Sequence, residues 1–237
     1  MIGAMSYVKE YAQANVEFTS SGLLCSTDQY TETSLNWALT QLMANEFLTR
    51  IGRGLYTINT KQNFTYAQDE DTVGLYQKIS SRYPLAPLCI YKGEILGPIQ
   101  HHLSYNAITY VETDRSMTET LFHWLRDEGR RVYHKPDKAF MYEYVDIASP
   151  AIIVKPLITG SPTIEVQGTV GPSLEKLLVD VRADADFDYL GGQESFAMLE
   201  NAIDLYALNR SKLLRYAGRR GLREEFENDL KLLNDDK

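Results

Sequence analysis

The sequence predicts an α/β chain of the α+β kind, opened by a small winged helix-turn-helix and closed by a cluster of helices. Three observations carry this. A polar-faced helix followed at once by a Gly-Arg-Gly ribbon stands within residues 1–60. Short β-prone runs alternate with amphipathic helices through the middle. From Ser173 onward the periodicity is almost wholly helical. The expected domains are a winged helix-turn-helix over residues 1–60, a polar linker over 61–71 and a mixed α/β domain with C-terminal helices over 72–237.

In the first domain Ser6 is expected to cap a helix running to Asn15, with Tyr7, Val8 and Tyr11 on one face. Met1–Ala4, ahead of a second Met, read as a leader outside the fold. Val16–Thr19 is β-prone, and a short apolar piece follows around Leu23–Cys25. Thr31-Glu32-Thr33-Ser34 opens a strong helix whose Leu35, Leu39, Leu42 and Met43 form an apolar stripe. Its opposite face carries Glu32, Thr33, Asn36, Trp37, Thr40 and Gln41, polar and almost without charge, whereas a merely solvated face carries more Lys and Glu. Thr49–Ile58 then reads as two short strands around Gly52-Arg53-Gly54. In helix-turn-helix logic the polar face enters the major groove, and Arg50 and Arg53 of the wing reach phosphates or the minor groove. Thr33, Asn36, Trp37, Thr40, Gln41, Arg50 and Arg53 are therefore the candidate DNA-binding residues. Against this, residues 1–60 hold three basic side chains (Lys9, Arg50, Arg53) and five acidic ones, and winged helices also serve as protein-interaction modules.

Beyond the linker, Val73–Tyr83 reads as a helix, Leu88–Tyr91 as a strand and Gly93–Leu103 as a short helix. Ala107–Val111 reads as a second strand. Ser116 is expected to cap a helix through Asp127, and Val132–His134, Ala151–Val154 and Thr163–Val166 supply three more strands. Helices are expected over Ser173–Asp180, Glu194–Leu208, Ser211–Arg219 and Leu222–Leu233, packed on one side of the sheet or bridging back toward it.

The net charge of −8 argues against a protein that coats nucleic acid indiscriminately. Cys25 and Cys89 are the only cysteines and read as small buried hydrophobes in a reducing, cytoplasmic setting. No apolar run is long enough to cross a bilayer. Asp184, Asp186 and Asp188 mimic a calcium loop, but Tyr189 and Ser195 stand where Gly and Glu are needed, so the run reads as a solvated turn. Gly160-Ser161 lacks the paired acids of a nucleotidyltransferase. Pro136-Asp137 with Glu165-Val166-Gln167 gives only a degenerate nuclease pattern. His101, His102, His123 and His134 show no metal spacing. An enzyme, a metal and a cofactor are therefore not expected.

Between Leu205 and Arg223 six basic residues and no acid occur: Arg210, Lys212, Arg215, Arg219, Arg220 and Arg223. Lys212, Arg215, Arg219 and Arg223 fall on one stripe of one helical face, while Gly218 and Gly221 would let the chain bend between two short helices. They point either to an anionic partner or to internal pairing, such as Arg220 with Glu224.

The run Ser34-Leu35-Asn36-Trp37-Ala38-Leu39 with Ile51-Gly52-Arg53-Gly54-Leu55-Tyr56-Thr57-Ile58 resembles the amino-terminal winged helix of AbiEi-type antitoxins of type IV toxin–antitoxin systems. Pro172–Asp180 and Leu213-Leu214-Arg215-Tyr216-Ala217-Gly218-Arg219-Arg220-Gly221 resemble the C-terminal helices of a related Bacteroidetes-type family of unknown function. The resemblance implies an autorepressor of an abortive-infection operon used in phage defence. Its implied partners are operator DNA and a nucleotidyltransferase-like AbiEii toxin, neutralised without a stable complex. Lys212, Arg215, Arg219, Arg220 and Arg223 are then the candidate antitoxin or nucleic-acid surface.

Overall fold

The computed structural model describes residues 2–15, 17–45, 47–59, 61–102 and 104–235. Met1, Val16, Thr60 and Leu103, which bound the expected leader, first strand, first domain and short helix, lie outside them. The chain divides into two compact units. One comprises the residues up to Asn63 with Leu205–Ala207, and the other Phe64–Asp204 with the chain from Leu208 onward.

The first unit has the winged-helix order. Helix α1 (Ile2–Ala14) leads into strand β1 (Glu17–Thr19), helix α2 (Ser20–Cys25), helix α3 (Glu32–Ala44) and the hairpin of β2 (Leu48–Gly52) and β3 (Leu55–Ile58). The three strands pair antiparallel in the order β1-β3-β2. Val8 and Ala12 of α1, Leu23 of α2 and Leu35, Leu39 and Leu42 of α3 close one core with Phe18, Leu48 and Tyr56. Each such leucine contributes roughly 1.5–3 kcal/mol by leaving water. Ala4 is fully buried in that core, so it belongs to α1 rather than to a leader, and Ser6 lies inside the helix instead of capping it. The Thr31 hydroxyl caps α3 by accepting from the Ser34 amide. Cys25, at the end of α2, is exposed, contrary to its reading as a buried residue; Cys89 is buried.

The second unit is a three-layer sandwich. Its sheet runs in the order β4-β5-β7-β6, from β4 (Leu88–Lys92), β5 (Ile108–Thr113), β6 (Val132–His134) and β7 (Ala151–Pro156). β4 is antiparallel to β5, while β5, β7 and β6 are parallel. Alternation along the strands sends Leu88, Ile90, Val111, Ile152 and Val154 to one face. There they meet Leu75 and Ile79 of α4 (Glu70–Arg82) and Leu121 and Leu125 of α5 (Thr118–Asp127). The other face carries Tyr91, Tyr110, Glu112 and Lys155, and lies against α7 (Leu174–Ala183) and the 3-10 segment Ala185–Leu190. A hairpin of β8 (Thr163–Val166) and β9 (Thr169–Pro172) precedes α7, and α8 (Gln193–Leu205), α9 (Arg210–Arg219) and α10 (Arg223–Asp235) follow it. The helix α6 (Lys138–Tyr144), capped by the Asp137 carboxylate, occupies a stretch for which the sequence pattern predicts no helix.

Two further readings change. Ser116 does not cap α5; its hydroxyl donates to Asp114 at 2.6 Å. The expected linker belongs largely to the second unit. The Tyr66 hydroxyl donates to the Pro172 carbonyl, Gln68 donates to the Ile90 carbonyl at 2.7 Å from a buried position, and Asp69 caps α4. A polar composition concealed this because these side chains satisfy buried backbone groups instead of facing water.

Candidate functional site

The face of α3 opposite its leucines presents Thr33, Asn36 and Thr40 to solvent, with Trp37 and Gln41 half-buried. Trp37 packs against the core, which makes it an anchor for the helix. The Thr40 hydroxyl donates to the Asn36 carbonyl at 2.9 Å, so its proton is used within the helix. Asn36 and Gln41 keep side-chain amides able to meet a base edge, as both donor and acceptor.

Arg50 and Arg53 are both exposed. A register shift between Arg50 and Gly52 marks a bulge just before the turn. Gly54 takes φ +69° there, a conformation that excludes most side chains, and a Cβ would stand 2.9 Å from the Ser20 hydroxyl. The Ser20 amide donates to the Gly54 carbonyl at 2.7 Å. The hairpin tip is thereby fastened to the start of α2, which holds Arg53 on a positioned turn.

The C-terminal basic residues behave differently. α9 ends at Arg219 and α10 begins at Arg223, so the expected stripe is broken by a turn and Arg223 stands on another helix. Arg223 pairs with Glu227 at 2.8 Å, and Lys212 lies 3.7 Å from Glu175. Arg219 is exposed and its guanidinium lies over Gly160, where a Cβ would come within 2.9 Å. Arg215 is exposed as well. Arg220 turns inward to Asp180 and Asp184, not to Glu224.

Arg220 is one corner of a buried ion network that sequence reasoning missed. Register places Glu112 of β5 beside Lys155 of β7. The Lys176 ammonium lies 2.9 and 2.7 Å from the two oxygens of Glu112 and also bonds Asp180. Lys155 donates to Asp184 at 2.9 Å and Asp186 at 2.7 Å, with its ammonium over the rings of Tyr110 and Phe187. Asp180 also accepts from the Tyr216 hydroxyl at 2.7 Å. Asp184 and Asp186 therefore do not form a solvated turn; only Asp188, paired with Lys138, is exposed.

Burial raises the Glu112 carboxyl, opposed by Lys176 and Lys155, and raises Asp186, opposed by Lys155. Burial would also raise Asp184, but Lys155 and Arg220 together hold it at about 2. Four acids and three cations thus pair with one another, Glu112, Asp180, Asp186, Lys155 and Lys176 in the interior and Asp184 and Arg220 at its edge. The network joins β5, β7, α7 and α9.

The other motifs dissolve into structural roles. Asp137 caps α6, Glu165 is exposed on β8, and the Gln167 side chain accepts from the Gln68 amide at 2.8 Å. His101 and His102 stand edge-to-face in a bend, and the Glu194 carboxylate accepts from both of their backbone amides. Among the described residues no group of three or more His, Cys, Asp or Glu is arranged to hold a metal ion, and no helix is long and apolar enough to cross a membrane.

No curated protein matches the chain. The model of a family of unknown function, DUF6577, matches residues 34–236, from within α3 almost to the C-terminus, and the chain belongs to that family.

Proposed function

We propose that this chain is a cytoplasmic, sequence-specific DNA-binding protein that represses its own operon and serves there as the antitoxin of a type IV pair. The observation that carries the DNA reading is the polar face of α3, with Thr33, Asn36 and Thr40 exposed and Glu32 its one charge, beside two exposed hairpin arginines. Such a face can seek hydrogen bonds to base edges while the arginines take phosphates. Asn36 and Gln41 are the base readers in this account. Arg50 and Arg53 set affinity and register. The antitoxin part rests on the resemblance of the hairpin and C-terminal runs to AbiEi-type proteins. Arg215 and Arg219 are exposed cations of α9 that act in neutralisation in this account.

A gel shift with the gene's own upstream region tests the DNA reading. A retarded band that resists a scrambled duplex is the expected result, and equal competition by both duplexes would contradict it. Co-expression with a neighbouring nucleotidyltransferase-like toxin tests the antitoxin part separately. Rescue by the wild type and weakened rescue by a folded Arg215→Glu/Arg219→Glu variant are expected. The excess of acids over bases in residues 1–60 favours a second reading, a protein-interaction adaptor, which predicts no retarded band at any salt.

A further inference from the structure

In the second unit, helix α6 and the segment Ala185–Leu190 border a cavity of about 760 Å³. Met141, Val145, Ile147, Ala185 and Tyr189 give it a largely apolar lining. The Tyr189 hydroxyl accepts from the Asn106 amide at 2.8 Å, so the residue offers the cavity its ring. α6 leaves the space unfilled. Phe140 and Tyr144 pack with each other, and Phe140 with Tyr133, on the flank of the helix away from the lining. Met141 is the one buried residue of α6. Protein interiors pack as densely as organic crystals, so walls that face a hollow of this size forgo contacts that an occupant would supply.

We propose that this cavity binds a small, neutral, largely apolar molecule. Its volume falls within the roughly 300–1,000 Å³ of small-molecule sites, and apolar walls with a few polar groups are their usual lining. A docked protein segment does not suit it, because a helix ~10–12 Å across would fit only about one to two turns there. Charge narrows the class further. Lys138, the one cation of the lining, is taken by Asp188 at 2.7 Å. Asp186, a buried member of the lining, is bonded to Lys155 at 2.7 Å. Both pairs are thus made within the chain. An anion would meet two carboxylates and no free cation, and a cation would have to displace a lysine from its partner. A neutral molecule disturbs neither pair and leaves no charge buried alone.

The inference concerns the second unit alone and goes beyond the DNA-binding reading, so either can fail without the other. Two fluorescent dyes with the same aromatic skeleton test it on the full chain: neutral N-phenyl-1-naphthylamine and anionic 8-anilinonaphthalene-1-sulfonate. The neutral dye should brighten and saturate at one per chain, with a dissociation constant of about 1–50 μM. The anionic dye should bind at least about tenfold more weakly. Ala185→Trp and Ala139→Trp, the second at an exposed position of the lining, should each fill the cavity. Each should weaken the neutral dye at least about tenfold while the circular-dichroism melt stays that of the wild type. No saturable binding of the neutral dye, equal affinity for the anionic one, or undiminished binding by folded Ala139→Trp overturns the proposal.

Discussion

The two units treat positive charge in opposite ways. In the first, Arg50 and Arg53 stand exposed on a hairpin that follows a helix face almost without charge. In the second, Lys155, Lys176 and Arg220 are withdrawn from solvent, each bonded to two carboxylates. The richest basic run in the sequence thus gives its most buried member, Arg220, to internal pairing and leaves Arg215 and Arg219 exposed, as Arg50 and Arg53 are near the N-terminus. Density of Lys and Arg along a chain does not mark a binding surface; what decides is whether acids from distant elements close on them.

The sharpest break of this comparison is Lys176→Met. It leaves Glu112 and Asp180 buried without their shared cation, and removing one partner of a buried pair costs about 3–5 kcal/mol. Urea unfolding followed by fluorescence should show that loss. A change below about 1 kcal/mol would mean that the network is not holding α7 to the sheet.

Acid should act next. The folded Asp184 carboxyl sits at about 2, below its ordinary 3.8, so its contribution is fully present above the ordinary value and is lost as pH falls toward 2. The shift corresponds to about 2 kcal/mol. Glu112 and Asp186 are raised in the folded state, so their contributions run the other way and are lost as pH rises. Asp184→Asn isolates the first term. Urea midpoints between pH 7 and pH 3 should fall less for this variant than for the wild type, and parallel curves would rule out Asp184 as the acid-sensitive member.

Gly54→Val forces a branched side chain into the left-handed region and against the Ser20 hydroxyl. A cost of about 1–2 kcal/mol to the first unit is expected, read as a lowered melting temperature. No loss would show that the hairpin tip is not fastened to α2 as described.

Much of this fold was legible. β6 and β8 fall at the residues the sequence marked, and α3 and the hairpin follow from a 3.6-residue stripe running into Gly52-Arg53-Gly54. α6 was not legible, because Lys135-Pro136-Asp137-Lys138 offers the same residues to a turn as to a helix cap. The ion network was hidden for a deeper reason. Asp184 and Asp186 look solvated until Lys155 and Arg220 arrive, 29 and 36 positions away for Asp184. One local signal did exist. Lys176 and Asp180 stand at i, i+4 on α7 and so share a face where they can pair, but the stripe of Leu174, Leu177, Leu178 and Val181 lies on the other side, so the pattern alone reads as an amphipathic helix with that pair in water. Arg220 was paired with Glu224 on the same local logic, which fails because the chain turns between α9 and α10.

The smallest effect on stability is expected from Arg50→Ala/Arg53→Ala, within about 0.5 kcal/mol, because both side chains are exposed. That neutrality makes the double variant the cleanest probe of the proposed function. Fluorescence anisotropy of the gene's own upstream duplex and a scrambled duplex, titrated across a salt series, tests it most directly. The account predicts that the wild type prefers its own duplex. The arginine variant should weaken both duplexes alike and lower the salt slope by about two. Asn36→Ala/Gln41→Ala should instead reduce the preference, by about 1–3 kcal/mol per lost bidentate contact, and leave the slope unchanged. Equal binding of both duplexes by the wild type, or an unaltered slope in the folded arginine variant, would contradict it.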